Sequence, residues 1–300
     1  MTQRPLRILL WLGALSLSAC ADLNAAKAAY QAGDLTTAQK NWIDLAARGF
    51  PEAQTRLGET AMDNENGPAG PMRGVGFYNK AMAEQYPPAF IALGRLYQSG
   101  YGLPKDDKKA RNLFNRARVL GDSRAYAALG ELEMEEKNFS EAEDDFKKAL
   151  AAGDALAWRP YGRLHMAENR PDLAEMDFQK AIAMNDIDAY IPLGDAQIAL
   201  KKFSEAEASY QAAIDRGIAR GYVKVGEMRH FGQGGPIDNM QALKFFYQAR
   251  AQGVRNMNRR IVNLERHLTL DQLAKAKKIE MEITLANNDL SRAPLTLQSQ

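Results

Sequence analysis

The 300-residue chain contains one cysteine, Cys20, and only three histidines, His165, His230 and His267. A disulfide within the chain is therefore impossible, and the folded protein depends on buried apolar surface for its stability. The histidines lie far apart in the sequence, so they indicate neither a set of metal ligands nor a nucleophile–base pair. These shortages predict a protein that is not an enzyme and that binds no metal or other cofactor.

Long apolar runs are also missing. The run at residues 8–17 is only about half as long as the roughly 20 residues that a membrane-spanning helix needs. Arg4 and Arg7 precede this run, and Leu17-Ser-Ala-Cys20 follows it with the small residues of a cleavage site. The sequence therefore predicts a signal peptide over residues 1–19 and no permanent transmembrane segment.

An excess of charge of one sign is absent as well. The formal net charge is +2, and Arg4 and Arg7 account for it, because the rest of the chain has 37 basic and 37 acidic residues. Proteins that bind nucleic acid usually carry a clear basic excess. We therefore expect no nucleic acid among the partners of the mature protein.

The chain does contain an internal repeat, which is marked by one glycine and one aromatic residue per period. The glycine recurs as Gly58, Gly94, Gly130, Gly162, Gly194 and Gly226. The aromatic residue stands four positions after a small residue and recurs as Trp42, Tyr78, Phe114, Phe146, Phe178, Tyr210 and Phe246. Each period predicts two helices, helix A with the glycine and helix B with the aromatic residue, whose ring covers the seam between them.

Recurrent residues also predict where the helices begin and end. The B helices are expected to begin at capping boxes, which are Thr36…Gln39, Ser140…Glu143, Asp172…Glu175, Ser204…Glu207 and Asp238…Gln241. They are expected to end at a left-handed residue, which is Gly49, Gly121, Gly153, Asn185, Gly217 or Gly253, with Gln85 as the one departure. In the second period, Gly74 and Gly76 weaken helix B, so we expect this repeat to be the most mobile or the most distorted.

The long periods carry an insertion between the two helices, as in Gly100-Tyr-Gly102 and Gly232-Gln-Gly234. With the repeated Leu-Gly element, this insertion resembles the Sel1-like repeat family, whereas short periods such as Ala142…Phe146…Ala149 resemble tetratricopeptide (TPR) repeats. The resemblance implies an all-α, right-handed α-solenoid of about seven helix pairs over residues 20–253.

The last part of the chain departs from the repeat. Val262 replaces the helix A glycine, and Thr269-Leu-Asp-Gln272 predicts the start of a final long helix that ends near Asn287. Since stacked repeats need a capped end, residues 254–289 are predicted to form C-terminal capping helices. Residues 290–300 show little apolar periodicity and are predicted to be a disordered tail.

Leu17-Ser-Ala-Cys20 also resembles the lipobox of bacterial lipoproteins, in which the cysteine is acylated and becomes the first mature residue. The resemblance implies that Cys20 is the lipidation site. Because Ala21, and not an aspartate, follows the cysteine, it further implies an outer-membrane lipoprotein that faces the periplasm. The alternative is an ordinary secretory signal with an incidental cysteine.

A charged residue follows each helix A glycine. The series is Glu59, Arg95, Glu131, Arg163, Asp195 and Glu227, with Lys27 in register before it. In TPR-like folds this position faces the concave groove. Two interpretations remain open: a ladder of ion pairs between neighbouring A helices, or a polar groove that binds an extended segment of a partner.

A second candidate surface is the concentration of arginines after the last full repeat, at Arg255, Arg259, Arg260 and Arg266. Guanidinium groups pair with the carboxylates of proteins or of uronic-acid polymers. The stretch from Ala29 to Ala53 also resembles the AlgK family of alginate-secretion lipoproteins, which assist an outer-membrane porin. We therefore expect the protein to be a scaffold in an envelope complex. The resemblance implies that this complex exports an exopolysaccharide. The alternative is direct binding of an anionic glycan or of a partner peptide.

Overall fold

The computed structural model describes residues 21–63 and 69–292, and all regular elements among them are helical. The chain divides into two compact units, Met1–Asp154 and Ala155–Gln300. The described part of the first unit contains α1 (residues 21–31), α2 (Leu35–Ala47), α3 (Pro51–Asp63), α4 (Ala69–Ala83), α5 (Pro87–Ser99), α6 (Asp107–Val119), α7 (Arg124–Glu135) and α8 (Phe139–Ala151).

The second unit continues the same alternation of helices. It contains α9 (Trp158–Ala167), α10 (Pro171–Ala183), α11 (Tyr190–Ala199), α12 (Phe203–Asp215), α13 (Arg220–Phe231), α14 (Asn239–Ala251), α15 (Met257–Glu265) and α16 (Leu270–Arg292), with short 3₁₀ turns at Ala155–Ala157 and Ile187–Ala189. Within each unit a helix A packs on the helix B that follows it, and that helix B packs on the next helix A, except that α16 packs on α14 and not on α15. The predicted α-solenoid of helix pairs is thus confirmed.

The contact between the glycine and the aromatic ring recurs in every pair that contains the glycine. A Cβ atom on Gly94 would lie 2.4 Å from Cε1 of Phe114, which is far inside van der Waals contact. The equivalent contacts are Gly58–Tyr78, Gly130–Phe146, Gly162–Phe178, Gly194–Tyr210 and Gly226–Phe246. The rings of Phe114, Phe146 and Phe178 are completely buried. Each ring therefore occupies the space that a side chain at the glycine would need, as the sequence predicts.

The turns at the ends of the B helices also agree with the prediction. All six expected left-handed residues have φ between 64° and 91°, and Gln85 adopts the same conformation at 57° despite its side chain. Gly100, Gly102, Gly232 and Gly234 are left-handed as well, and they shape the two long insertions. The glycine pairs of these insertions are therefore turn residues.

Four of the five predicted capping boxes are wrong. The B helices α2, α8, α10 and α12 begin one residue before Thr36, Ser140, Asp172 and Ser204, so these four lie inside the first turn. Only Asp238 caps its helix as predicted, by accepting a 2.9 Å hydrogen bond from the backbone N–H of Gln241. The reason is that the turn before each of these helices is short. The residue directly before the helix follows a left-handed residue, which is Gly33, Lys137, Asn169 or Lys201.

Helix α4 of the second repeat is continuous despite its glycines. A Cβ atom on Gly74 would lie 3.0 Å from the carbonyl oxygen of Gly58 and 2.3 Å from Cε of Met62. The glycine therefore permits α3 and α4 to approach closely, which offsets its low helix propensity. The expected distortion is absent from the described helix, while residues 64–68 of the preceding connection lie outside the described residues.

The two C-terminal helices form as predicted, but the last one is longer. Thr269 and Gln272 form a reciprocal capping box, in which Gln272 Oε1 accepts a 3.0 Å bond from the N–H of Thr269. Helix α16 then continues to Arg292, beyond the expected end near Asn287. Residues 290–292 of the predicted tail are therefore helical, and residues 293–300 lie outside the described residues.

Candidate functional site

A groove of about 600 Å³ crosses the A helices of the second unit, from α9 over α11 to the start of α13. We call it the unit-2 groove. Its apolar residues are Met166, Phe178, Ile191, Pro192 and Ile218. Its charged residues are Arg159, Arg163, Asp188, Asp195 and Arg220. The structure therefore combines an apolar floor with a charged rim, and it places two of the predicted groove residues, Arg163 and Asp195, in one site.

Asp195 is held in place from two directions. Tyr210, the aromatic residue of the same repeat, donates a 2.7 Å hydrogen bond from its hydroxyl to Oδ1, and Nζ of Lys224 lies 2.9 Å from the same oxygen. Burial, and then the negative charge of Asp195, raise the pKa of the Tyr210 hydroxyl well above its usual range. Tyr210 thus remains a neutral donor, and Asp195 faces the groove with its charge balanced by Lys224.

The arginines of the rim differ in how they are fixed. Nε of Arg159 lies 2.6 Å from Oδ2 of Asp186, whose side chain is only 8% exposed. Arg163 on α9 and Arg220 at the start of α13 are exposed. The rim therefore combines the guanidinium group of Arg159, which Asp186 holds, with the exposed side chains of Arg163 and Arg220, and guanidinium groups can bind carboxylates bidentately.

Ion pairs also join neighbouring A helices, which was the other interpretation of the charged series. Asp195 on α11 pairs with Lys224 on α13, and Glu227 on α13 pairs with Arg260 beyond it. In the first unit, Lys27 on α1 pairs with Glu52 on α3 at 2.8 Å. Ion pairs therefore join neighbouring A helices at these three places. In each pair only one of the two residues belongs to the predicted series.

The remaining members of the series have varied surroundings. Glu59 pairs within its own helix with Arg56, at 2.9 Å, and both line a smaller pocket of about 230 Å³ beside Tyr30 and Trp42. Arg95 is exposed, and Glu131 is partly buried. The unit-2 groove, which Arg163 and Asp195 line together, is the site where the structure brings two members of the series to one surface.

Buried polar residues in the second unit were missed by the sequence interpretation. His165 and Asp177 are almost completely buried, with Nδ1 and Oδ2 2.7 Å apart. Burial raises the pKa of Asp177, although His165 and Lys180 act in the opposite direction. His165 therefore belongs to a buried polar contact between helix A and helix B of one repeat.

The same position of helix A is polar in four consecutive periods. Glu133, His165, Gln197 and Arg229 each stand three residues after the helix A glycine. Arg111 pairs with Glu133, Gln197 Nε2 donates to Glu175 at 3.3 Å, and Glu207 pairs with Arg229. Ser209 then donates a 2.7 Å bond to Gln197. This recurrence was the signal available in the sequence, and it marks a polar contact that recurs between neighbouring helices A and B within each unit.

The four C-terminal arginines do not form one cluster with one role. Arg260 pairs with Glu227 of the preceding helix A. Arg259 and Arg266 are exposed on another face of α15, and Arg255 is exposed in the turn before it. The structure therefore separates one structural arginine from three that face solvent.

Within the described part of the chain, no group of three or more His, Cys, Asp or Glu residues is arranged to hold a metal ion. None of the helices in that part is long and apolar enough to cross a membrane. The predicted lipidation site, Cys20, lies outside the described residues, together with the signal peptide at residues 1–19.

Comparison with family models identifies both kinds of repeat in the chain. Residues 88–122 and 219–254 match the Sel1 repeat, and these are the periods with the long glycine insertions. Residues 123–152 and 160–220 match tetratricopeptide repeat models. No curated protein matches the chain.

Solved structures show the same fold. The chain is similar to a Sel1 repeat protein from Oxalobacter formigenes, with 22% identity and a TM-score of 0.55 over 76% of this chain and 98% of that one. It is also similar to a tetratricopeptide repeat protein from Parabacteroides merdae, with 19% identity and a TM-score of 0.53 over 88% and 99% of the two chains. The chain is thus an α-solenoid built of Sel1 and tetratricopeptide repeats, a fold typical of scaffolds for protein–protein interaction.

Proposed function

We propose that this chain is a non-catalytic scaffold that binds an extended segment of a partner protein in the unit-2 groove. The observation that carries the proposal is the composition of that groove, which has apolar residues along its floor and arginines at its rim. Repeats of the two types present here bind partner proteins through surfaces that successive helices build together.

The groove offers a partner two kinds of contact. Ile191, Pro192 and Ile218 present apolar surface from α11 and from the turn before α13. Arg163 and Arg220 add cations near that surface. Successive side chains of an extended chain point to opposite sides. An extended segment that alternates apolar and acidic residues can therefore place its apolar side chains on the floor of the groove and its carboxylates near the arginines.

The cellular setting is part of the proposal. The signal peptide at residues 1–19 and the lipobox ending in Cys20 support an outer-membrane lipoprotein that faces the periplasm. There the scaffold binds envelope proteins, for which an outer-membrane porin of an exopolysaccharide exporter is our specific candidate. The resemblance of residues 29–53 to the AlgK family supports that candidate. Direct binding of an anionic glycan is the competing function, and the exposed Arg255, Arg259 and Arg266 favour it.

Site-specific photocrosslinking tests the groove. A photoreactive amino acid replaces Arg220 in the groove, or Lys244 on the exposed side of α14 as the control. Irradiation of intact cells should attach a segment of one envelope protein to position 220 and not to position 244, and mass spectrometry identifies that segment.

Binding of the identified segment is then measured by calorimetry. We expect Arg220→Glu to weaken it about tenfold, because the variant places a like charge beside the acidic side chains, and Lys244→Glu to leave it unchanged. Identical crosslinks from both positions would refute the groove as the binding site. Uptake of uronate oligosaccharides in place of a protein segment would favour the glycan-binding function.

A further inference from the structure

Helix α15 is a type A helix on which no helix B of its own packs among the described residues. Val262 stands where the preceding helices A have glycine, and in those repeats that position packs directly on the aromatic ring of helix B. The residue one turn earlier packs on the same helix B: Ile191 joins the core around Tyr210, and Val223 joins the core around Phe246. The glycine face of a helix A is therefore normally a covered face.

The next helix does not cover this face of α15. Helix α16 packs on α14 instead, with Ala276, Ile279 and Ile283 in the core that surrounds Phe246. The ion pair between Lys277 and Glu265 joins it to the far end of α15. Val262 remains 44% exposed, whereas its glycine counterparts are covered by a ring.

Two residues explain why α16 takes a different path. A Cβ atom on Gly226 would already lie 2.6 Å from Cε1 of Phe246, so the side chain of Val262 excludes a ring at that depth. Phe178 follows Gly162 at a fixed spacing in the sequence. At the same spacing after Val262 the chain has Lys278 and not an aromatic residue. The chain thus lacks both halves of the contact that joins its other helix pairs.

The exposed face is basic around an apolar centre. Arg259 precedes Val262 by one turn and Arg266 follows it by one turn, while Arg255 lies in the turn before the helix. In five internal repeats the position of Arg259 holds a buried residue, which is Thr55, Ile91, Ala127, Ile191 or Val223. In the remaining one it holds Arg159, whose side chain is partly exposed and pairs with Asp186 of its own unit. We call the surface of Arg259, Val262 and Arg266 the open face of α15.

The nearby carboxylates are already occupied. Glu265 pairs with Lys277, Glu280 pairs with Arg250 and Lys277, and Glu227 pairs with Arg260. Within the described residues, Arg259 and Arg266 form no ion pair. The open face therefore presents two exposed guanidinium groups that are available to the carboxylates of another molecule.

We propose that the open face of α15 binds an acidic helix of a partner protein, which takes the place of the missing helix B. The face is the counterpart of a helix-packing surface, because a helix B packs on the preceding helix A at α3, α5, α7, α9, α11 and α13. A small apolar residue of the incoming helix packs on Val262, and Asp or Glu residues one turn to either side pair with Arg259 and Arg266. This surface adds a second docking site to the proposed scaffold and does not depend on the unit-2 groove.

A synthetic peptide tests the proposal with the full-length protein. The probe is a lactam-stapled helix of about five turns that carries Glu residues on either side of an alanine stripe. Its affinity is measured by fluorescence anisotropy for the parent, for Arg259→Glu/Arg266→Glu, and for the charge-matched control Lys108→Glu/Lys244→Glu, whose lysines are exposed elsewhere. The first double variant should bind about tenfold more weakly or worse, and the control should bind like the parent.

The Val262→Lys variant distinguishes the packing of a helix on Val262 from binding by charge attraction alone. The substitution adds a positive charge, so attraction alone would strengthen binding of the acidic probe. Packing of the helix on Val262 predicts that the variant binds the probe more weakly, because a charged side chain then replaces the apolar centre of the contact. Since Val262 is exposed, the variant should keep the thermal stability of the parent.

Three results would overturn the proposal. The first is tighter binding by Val262→Lys. The second is equal binding of an acidic peptide of the same composition whose central proline prevents a helix. The third is no binding of the stapled probe, or uptake of a uronate oligosaccharide in its place. None of these results bears on Arg220 or on the crosslinks from the unit-2 groove, so the two proposals fail separately.

Discussion

Nδ1 of His165 on α9 and Oδ2 of Asp177 on α10 lie 2.7 Å apart, with 5% and 6% of their side chains exposed. The two helices belong to one repeat, so this contact joins helix A to helix B, as the contact between Gly162 and Phe178 does. Lys180 is 3.6 Å from the other carboxylate oxygen of Asp177. A charged contact at this depth makes the stability of the second unit depend on pH.

Asp177→Asn tests that dependence. The pKa of Asp177 is raised in the folded protein, chiefly by burial, so as the pH falls the folded state takes up this proton before the unfolded chain does. The contribution of Asp177 to the free energy of unfolding therefore grows as the pH falls towards the unfolded value of 3.8, and it is smallest near neutrality. Urea unfolding at about pH 7 and about pH 4.5 should show the parent gaining stability relative to the variant at the lower pH.

The control for this experiment lies on the same helix. Asp172 is exposed in the first turn of α10, and Asp172→Asn should change the free energy of unfolding by less than about 0.5 kcal/mol at either pH. A parent that gains stability over Asp177→Asn as the pH rises would show that the sign argued here is wrong.

Phe146→Ala and Phe178→Ala test the column of aromatic rings. Both rings are completely buried, and removing either should lower the free energy of unfolding by about 3 to 5 kcal/mol. Phe231→Ala is the matched control, because that ring is 64% exposed and should contribute about 0.5 kcal/mol or less. Denaturation curves measure all three, and equal losses for buried and exposed rings would contradict the assignment of the column to the core.

Gly194→Ala tests the partner of the ring. The added Cβ would lie 2.3 Å from Cε1 of Tyr210, so α11 and α12 must separate or the ring must move, at a cost of about 1 to 3 kcal/mol. Gly235→Ala provides the comparison, since a Cβ there meets no atom within 4 Å. A Gly194 variant that melts at the temperature of the parent would mean that the glycine is not required for the packing of the two helices.

Cys20→Ser tests the membrane anchor. If Cys20 carries the lipid, the serine variant should move from the outer-membrane fraction to the soluble periplasmic fraction, because serine is not acylated at a lipobox. The parent protein fractionated in parallel is the control, and immunoblotting measures the distribution. A serine variant that still sediments with outer membranes would exclude anchoring through this residue.

The helix pairs were predictable because one steric constraint repeats. A ring that occupies the space of a missing side chain leaves a glycine and an aromatic residue at constant positions, as in Gly162 and Phe178, and both can be read without knowing the neighbours. The partners of polar side chains were not predictable in this way. Asp195 pairs with Lys224 because of how α11 and α13 are placed, and a spacing along one helix does not contain that information.

The helix starts failed for a related reason. The sequence marks Ser140 and Ser204 as caps, yet the left-handed residues Lys137 and Lys201 let the next helix begin almost at once. Where a long insertion precedes the helix, as before Asp238, the aspartate side chain accepts a hydrogen bond from the backbone N–H of Gln241. The sequence marks Arg259 and Arg266 as part of a candidate surface, but it cannot show that α16 packs on α14 and leaves Val262 between them exposed.

Each glycine accommodates a ring from its own repeat, so the two halves of this contact are always inherited together. A deletion of residues 155–186, for example, would remove Gly162 and Phe178 together and would leave Gly194 and Tyr210 at their own spacing. The chain can therefore gain or lose length by duplication or loss of a whole period without creating a mismatched seam. Such a solenoid can change the reach of its binding surface over evolutionary time while the chemistry of its core stays the same.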